Sequence, residues 1–378
     1  MRSEIVVIGG GIIGCAAAAI LATRGARVTL VEGADIAAGA SGRNLGAIQH
    51  PFDPALAPLY QESLSRYRAL ADGSEDFAIG AEPAGLLLLN RDEDAAETQA
   101  ARYREAVPEL APRFLAPDDV TRLEPSLSPG FAAVRLATGY PIPPASATRA
   151  WARLAEERGA RIRIGSSARP VIEHGAAVGV ELADGTSIGA DAVLVAAGPW
   201  TASLVDPSGT WVPIRATWGV TVQVRLDGEA PRHIVEEDEV GTINRSHTAT
   251  AHAVTAGADD PPSLFSLASA DGVSTLGSTF LPEEPDPSRI AALLLRRGVA
   301  YLPAIANADV VERRICARPQ SIDGRPFIGD YPGTSGLVVC AGHGPWGIST
   351  GPASAAIAAR VILDGTRPPR QLAADRPA

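Results

Sequence analysis

The sequence predicts an α/β protein with two domains, the first built on a parallel sheet and the second, an α+β domain, mainly on an antiparallel sheet. Three observations support this prediction. A glycine-rich turn joins a buried strand to a small-residue helix near the N-terminus, an all-apolar strand recurs at 192–198, and residues 212–226 show the period-2 pattern of a half-buried strand. The length of 378 residues also exceeds what one ordinary core supports.

The composition limits the partners of the chain. Apolar residues make up 46% and charged residues 20% of the sequence, and the net charge is −10. Nucleic acids and anionic membrane surfaces require a basic face, and no uninterrupted apolar run reaches the ~20 residues of a membrane span, so we expect neither partner. Three widely spaced cysteines form neither a disulfide framework nor a zinc pattern, which predicts no metal and a cytoplasmic location.

The apolar N-terminal segment, residues 5–25, has two readings. Hydropathy alone would make it a secretory signal, with Cys15 as a lipid attachment site. Glycines interrupt the apolar run, however, and Glu4 offsets the one preceding arginine, whereas a signal peptide needs a basic start and a continuous helix former. We therefore favour the second reading, in which the segment is a strand, a turn and a helix.

That second reading has the parts of a dinucleotide-binding βαβ unit of the Rossmann type. The turn "GGGIIG" carries Gly9, Gly11 and Gly14, which allow a tight turn, close approach to a pyrophosphate and close helix–strand packing. The second strand ends on Glu32, eighteen residues after Gly14, where a carboxylate accepts hydrogen bonds from ribose hydroxyls. The following helix directs its N-terminal dipole at the phosphates and begins with Ile12 and Ile13.

The segment after Glu32 narrows the choice of dinucleotide cofactor. It reads "GASGRNLG" over 39–46, and with the N-terminal unit it resembles the D-amino acid oxidase, glycine oxidase and sarcosine oxidase superfamily of FAD-dependent amine oxidoreductases. In that family such a loop runs along the pyrophosphate toward the isoalloxazine ring. The resemblance implies FAD contacts from the polar and glycine residues of the loop, Gly39, Ser41, Gly42, Arg43, Asn44 and Gly46.

Two later segments carry the same resemblance. The strand "AVLVAAG" is followed by "PW", and the C-terminal segment "CARPQSIDGRPFIG" precedes "GHGPWG", which opens the last helix. The family uses these segments to complete the flavin site, and a helix N-terminus there would steady negative charge on the reduced ring. The further FAD contacts implied are Gly198, Trp200, Gly342, His343, Gly344, Gly347 and Ile348.

The resemblance implies an FAD-dependent enzyme that removes a hydride from the carbon bearing the amine of a small amino acid or amine, giving an imine that hydrolyses. Arg318 matches the family arginine that holds the substrate carboxylate, although an ion pair at a domain seam is the alternative for this residue. His343 is expected near flavin and substrate and need not be an acid or base. The alternative functions are oxidation of a 2-hydroxy acid by the same fold and a noncatalytic redox module.

The resemblance leaves flavin attachment and the electron acceptor open. Sarcosine-oxidase-like members bond a cysteine to the flavin seven residues before a conserved aspartate, and Cys316 and Asp323 have that spacing. The adjoining "ARP" follows the noncovalent pattern, so we expect noncovalent FAD, with a Cys316 link as the alternative. Those members also activate oxygen with a lysine, but all 33 basic residues here are arginine, so the acceptor is either oxygen or a quinone or other electron carrier.

The positions of the motifs predict a discontinuous first domain. We assign 1–50, 145–212 and 316–378 to the FAD-binding domain, and 51–144 and 213–315 to the substrate domain. Helices are predicted at 59–71, 94–107, 145–159 and 286–303, with Asp286 near the cap of the last one. Residues 227–285 are rich in Asp, Gly and Pro, and their pattern places no element.

Overall fold

The structure is a computed structural model that describes residues 3–238 and 260–377. Elements are numbered in chain order within these ranges. The strands are β1 Glu4–Ile8, β2 Arg27–Glu32, β3 Ala47–Ile48, β4 Leu86–Asn90, β5 Arg113–Leu115, β6 Ala132–Leu136, β7 Tyr140–Pro141, β8 Arg161–Ile164, β9 Ala168–Glu173, β10 Ala176–Leu182, β11 Ser187–Gly189, β12 Ala192–Val195, β13 Ile214–Arg225, β14 Ile234–Glu237, β15 Ser263–Ala270, β16 Val273–Thr279, β17 Asp309–Ser321, β18 Phe327–Asp330 and β19 Leu337–Ala341. The helices are α1 Ile12–Thr23, α2 Ala40–Arg43, α3 Ala57–Asp72, α4 Glu93–Ala106, α5 Pro117–Leu123, α6 Ser146–Glu157, α7 Thr201–Val205, α8 Pro287–Gly298 and α9 Gly347–Asp364.

A mostly parallel six-stranded sheet carries the N-terminal glycine turn. Its strand order is β18-β19-β12-β1-β2-β8, in which β18 is antiparallel to β19 and the other pairs are parallel. Ile5 and Val7 of β1 pack into the cluster formed with α1, α6 and α9, whereas Val6 and Ile8 pack against β9 and β10 on the other face. Burial on both faces explains why this strand is apolar from Ile5 to Ile8.

The second large sheet has eight strands in the order β17-β13-β16-β15-β14-β4-β6-β5. Its two faces differ in chemistry. Val220 and Val222 of β13 pack with Leu294 of α8 in one apolar cluster. Thr221 of β13 and Glu236 of β14 alternate with the inward valines of their strands, so they lie on the opposite face, where both line a cavity.

The two sheets confirm the predicted fold class. The helices predicted at 59–71, 94–107 and 145–159 correspond to α3, α4 and α6, and the strand predicted at 212–226 is β13. Asp286 accepts a hydrogen bond from the Ser288 N–H at 2.8 Å and caps α8. This helix ends at Gly298 rather than 303, because the chain continues into a 3₁₀ turn, Pro303–Asn307.

The division into domains stays a prediction. Strand β17 pairs with β13 along its length, from Ile214 opposite Ser321 to Arg225 opposite Asp309. The proposed boundary between 315 and 316 therefore falls inside a strand of the antiparallel sheet. This strand carries Cys316 and Arg318 from the antiparallel sheet toward the parallel one.

Candidate functional site

A cavity of about 690 Å³ opens at the carboxyl ends of β1, β2 and β12. It extends from Glu32 at the end of β2 to Arg318 on β17, and ligands of open α/β sheets bind at this edge. The residues that the sequence assigned to FAD and that line this cavity are Gly9, Gly11, Ile12, Ile13, Glu32, Gly39, Ser41, Arg43, Asn44, Gly198, Trp200, His343, Gly344, Gly347 and Ile348.

Four glycines that were also assigned to FAD lie behind the cavity wall. A Cβ on Gly14 would overlap the carbonyl oxygen of Gly9, and a Cβ on Gly42 would overlap the carbonyl oxygen of Ala37. Gly46 and Gly342 have φ angles of +85° and +92°, in the left-handed region that favours glycine. The FAD contacts of these four glycines stay a prediction, and their surroundings give them in addition a packing or turn role that shapes the wall.

The first turn of α1 and the end of β2 form the N-terminal part of the cavity. Gly9 has a φ of +116°, and the space beside Gly11 is limited by Ser41 Oγ, 3.1 Å from where a Cβ would lie. The Glu32 carboxylate accepts hydrogen bonds from the Gly10 N–H at 2.6 Å and the Ala34 N–H at 2.8 Å. Backbone N–H groups, a helix N-terminus and a carboxylate thus meet as the dinucleotide prediction requires.

The loop after Glu32 is fixed by its own polar side chains. Ser41 Oγ accepts from the Ile12 N–H at 3.0 Å, and Asn44 bonds the backbone at both of its amide atoms, including the Gly46 N–H at 2.7 Å. Arg43 donates to the carbonyl oxygen of Ile315 on β17 at 2.8 Å. These side chains therefore hold the loop against α1 and β17, in addition to lining the cavity.

His343 is the most deeply buried polar group in the cavity wall. Its side chain lies just before the 3₁₀ turn Gly344–Trp346, and the residue is 1% exposed. Neither ring nitrogen has a hydrogen-bond partner among the described residues. Burial lowers the pKa of His343 to about 3, so the imidazole is neutral at physiological pH. It is equipped to hydrogen-bond a ligand and not to carry a charge.

Arg318 lies where this cavity meets a smaller one. Its guanidinium donates to the carbonyl oxygen of Thr279 at 2.7 Å and to Ser278 Oγ, and it stacks over Phe280 at 4.5 Å from the ring centroid. A Cβ on Gly219 of β13 would overlap the guanidinium. The Arg318 side chain can therefore occupy this position only because residue 219 is a glycine. Burial lowers the pKa of Arg318, but a guanidinium stays protonated in proteins.

The smaller cavity, of about 100 Å³, contains polar groups that sequence reasoning missed. Glu236 and Gln49 line it together with Arg318, Ser266 and Ser278. Glu236 lies in the stretch whose pattern placed no element, and Gln49 follows the recognised loop. No periodicity or motif marked either residue, because the cavity is formed only when β14 and the loop after β3 come together in three dimensions.

Cys316 lines the large cavity as a buried thiol. Burial raises its pKa, although Arg318, Arg314 and Arg43 act in the opposite direction. Because the thiolate is the nucleophile of cysteine, this environment disfavours bond formation to a flavin. We expect acid precipitation to leave a colourless pellet and to release all flavin into the supernatant. A yellow pellet that becomes colourless in Cys316→Ala would instead establish a covalent link.

Over residues 3–238 and 260–377, no group of three or more His, Cys, Asp or Glu side chains is arranged to hold a metal ion. In the same ranges, no helix combines the length and hydrophobicity needed to cross a bilayer.

Comparison with known proteins identifies relatives along the whole chain. The family model DAO, FAD-dependent oxidoreductase, matches residues 4–361. Glycine oxidase from Pseudomonas aeruginosa is 28% identical over 97% of this chain and 96% of that protein. One chain of the anaerobic glycerol-3-phosphate dehydrogenase from Escherichia coli is 27% identical over 84% of this chain and 57% of that protein.

The fold agrees with these matches. The crystal structure of glycine oxidase from Bacillus cereus superimposes with a TM-score of 0.81 at 25% identity, covering 97% of this chain and 96% of that one. The family match spans both sheets and the whole cavity wall, from β1 to α9. The chain therefore belongs to the DAO family of FAD-dependent oxidoreductases, as its sequence motifs predicted.

Proposed function

We propose that this FAD-dependent oxidoreductase acts on a small amino acid or amine, of the D-amino acid, glycine or N-methyl amino acid type. It removes a hydride from the carbon that bears the nitrogen, and the resulting imine hydrolyses. The observation that carries the proposal is Arg318. This half-buried guanidinium sits at the junction of two cavities and has no carboxylate within ion-pair distance in the described parts of the chain.

A half-buried guanidinium without a carboxylate partner among the described residues favours an anionic ligand. Thr279 and Ser278 occupy two of its five N–H donors, which leaves donors for a carboxylate. The planar fork pairs a carboxylate through two parallel hydrogen bonds, which fixes orientation as well as position. We therefore assign Arg318 to the substrate carboxylate and prefer this role to a structural ion pair.

The residues of the cavity wall have the properties that FAD binding requires. The narrow space at Gly11 and the N-terminus of α1 suit the pyrophosphate, Glu32 suits the adenosine ribose, and the unpartnered nitrogens of His343 suit a hydrogen-bonding ring edge. When bound, FAD supplies the hydride acceptor. The protein's part is to hold the substrate carbon in place and to keep water from the buried end of the site, where we give neutral His343 a binding role.

The main alternative is oxidation of a carbon that bears a hydroxyl group. The relationship to the glycerol-3-phosphate dehydrogenase chain supports this alternative, because its named substrate is an anion with hydroxyl groups. A 2-hydroxy acid would also satisfy Arg318. Arg318 is compatible with both ligand classes, and the glycine oxidase relatives make an amino acid our first choice.

A substrate panel tests the proposal. Purified holoenzyme is mixed anaerobically with glycine, N-methylglycine, both enantiomers of alanine and proline, glycolate and glycerol 3-phosphate, and bleaching of the flavin absorbance is followed. We expect one or more amino acids to reduce the flavin and the two hydroxyl compounds to leave it oxidised. Reduction by glycolate or glycerol 3-phosphate alone would overturn the proposal.

The electron acceptor and the location belong to the same proposal. Reoxidation of the reduced enzyme by air, compared with a quinone analogue, distinguishes an oxidase from a dehydrogenase; the lack of lysine favours the quinone or carrier. Cys15, Cys316 and Cys340 are free and buried, which agrees with a reducing compartment, and we propose the cytoplasm.

A further inference from the structure

Two buried side chains that line the small cavity, Glu236 and Gln49, carry hydrogen-bond acceptors. Glu236 is 3% exposed and Gln49 is 7% exposed. Gln49 Nε2 donates to Glu236 Oε1 at 3.2 Å, which fixes the two side chains relative to each other. Glu236 Oε2 and Gln49 Oε1 have no partner among the described residues. Both side chains line the cavity that Arg318 also lines.

Unpartnered buried acceptors are rare in folded proteins and destabilising. A group that satisfies these two oxygens must donate hydrogen bonds, and a carboxylate prefers a positively charged donor. The cavity thus offers three polar groups: the guanidinium of Arg318 on β17, the carboxylate of Glu236 on β14 and the amide of Gln49 in the loop after β3. Its volume of about 100 Å³ suits one small ligand.

We propose, building on the function proposed above, that the Gln49–Glu236 pair binds the amino end of the substrate while Arg318 binds its carboxylate. The site then selects zwitterions. A ligand with a second carboxylate on its nitrogen would place that anion against Glu236, and a hydroxy acid offers no cation there. Glu236 is in this way the residue that separates amino acids from other carboxylates.

The surroundings of Glu236 make this selection sensitive to pH. Burial raises the pKa of Glu236 to about 7, while the Gln49 hydrogen bond acts to lower it. The carboxylate therefore forms as the pH rises through about 7, and glycine affinity should rise with it. Glu237 lies on the opposite face and pairs with Arg297 of α8. Among the described residues, the other charged group that lines the cavity is Arg318, and the neutral polar ones are Asn44, Gln49, Thr221, Ser266, Ser278, Trp346 and Ser349.

The test compares Glu236→Gln holoenzyme with wild type and with Glu312→Gln, the same substitution at an exposed site on β17. Anaerobic flavin reduction is measured against the concentration of glycine and of iminodiacetate between pH 6 and 9. We expect Glu236→Gln to raise the half-saturating glycine concentration about tenfold or more and to abolish the affinity change near pH 7. We also expect Glu236→Gln to lower the half-saturating concentration of iminodiacetate relative to that of glycine. Glu312→Gln should match wild type.

The opposite effects expected on glycine and iminodiacetate distinguish lost ligand recognition from a misfolded site, because a misfolded site would bind both ligands more weakly. An equal loss of affinity for both ligands in Glu236→Gln, or an unchanged half-saturating glycine concentration, would overturn the proposal. Gln49→Ala provides a second variant, which keeps the Glu236 carboxylate. It should also raise the half-saturating glycine concentration, by a smaller factor than Glu236→Gln. Failure of the proposed function has a different signature, because then no amino acid reduces the wild-type flavin at all.

Discussion

Replacing Arg318 with alanine should lower kcat/KM for the best amino acid substrate at least about 10- to 100-fold. The change removes a charge-assisted, forked contact from a desolvated cavity, and such contacts contribute ~1.5–3 kcal/mol or more. Arg318→Lys should rescue poorly, because an ammonium cannot reproduce the fork. Steady-state kinetics and flavin content measure the outcome, and flavin content should stay near wild type.

Three comparisons give this prediction its specificity. Methylamine, which has no carboxylate, should be turned over equally by wild type and Arg318→Ala. Arg313→Ala, at an exposed position on the same strand, should leave kcat/KM unchanged. Gly219→Ala retains the arginine but displaces its guanidinium, and it should raise KM for the amino acid in the same direction. Equal losses with methylamine, or loss of flavin, would make Arg318 a structural residue.

Gly11→Val should abolish FAD loading. The new side chain would enter the space between α1 and Ser41, where 3.1 Å separates a Cβ from Ser41 Oγ, and would occupy the cradle that suits the pyrophosphate. Each ~1.4 kcal/mol of lost binding lowers affinity tenfold, so we expect purified protein to carry less than about a tenth of the wild-type flavin. Released flavin per chain, measured after denaturation, reports the result.

Thermal unfolding distinguishes lost binding from lost folding. Added FAD should raise the melting temperature of wild-type apoprotein and leave that of Gly11→Val unchanged, since a ligand stabilises only a state that binds it. Gly73→Val is the matched control, because Gly73 is exposed, has a φ of −107° and leaves ordinary space for a side chain. Normal loading of Gly11→Val would contradict the assignment of the turn, as would release of NAD from wild type.

The dinucleotide half of the site could be predicted because its chemistry is encoded locally. Glycine spacing, the strand before it and Glu32 after it all lie within 32 residues, and backbone geometry dictates each of them. The resemblance extended this reading to His343 and Arg318, which line the same cavity. Gly14 and Gly42 have carbonyl neighbours that leave no space for a side chain, and their contact with FAD stays a prediction.

The proposed substrate-binding half depends on contacts between distant segments, so the sequence does not reveal it. Glu236 and Gln49 are 187 residues apart, and Gly219 meets Arg318 across adjacent strands. A buried glutamate on a strand looks like any other polar residue in an alternating pattern. Only the pairing of β14 with β15 and β4 turns its side chain toward the cavity.

The small cavity draws its three polar ends from β17, β14 and the loop after β3, whereas the dinucleotide cradle rests on β1, β2 and α1. Specificity and redox competence can therefore evolve separately. A single exchange at 49 or 236 would retune the choice of metabolite without dismantling the electron-transfer apparatus. For directed evolution, a focused library at Gln49, Glu236, Ser278 and Phe280 samples new substrates while every variant keeps the parental flavin cradle.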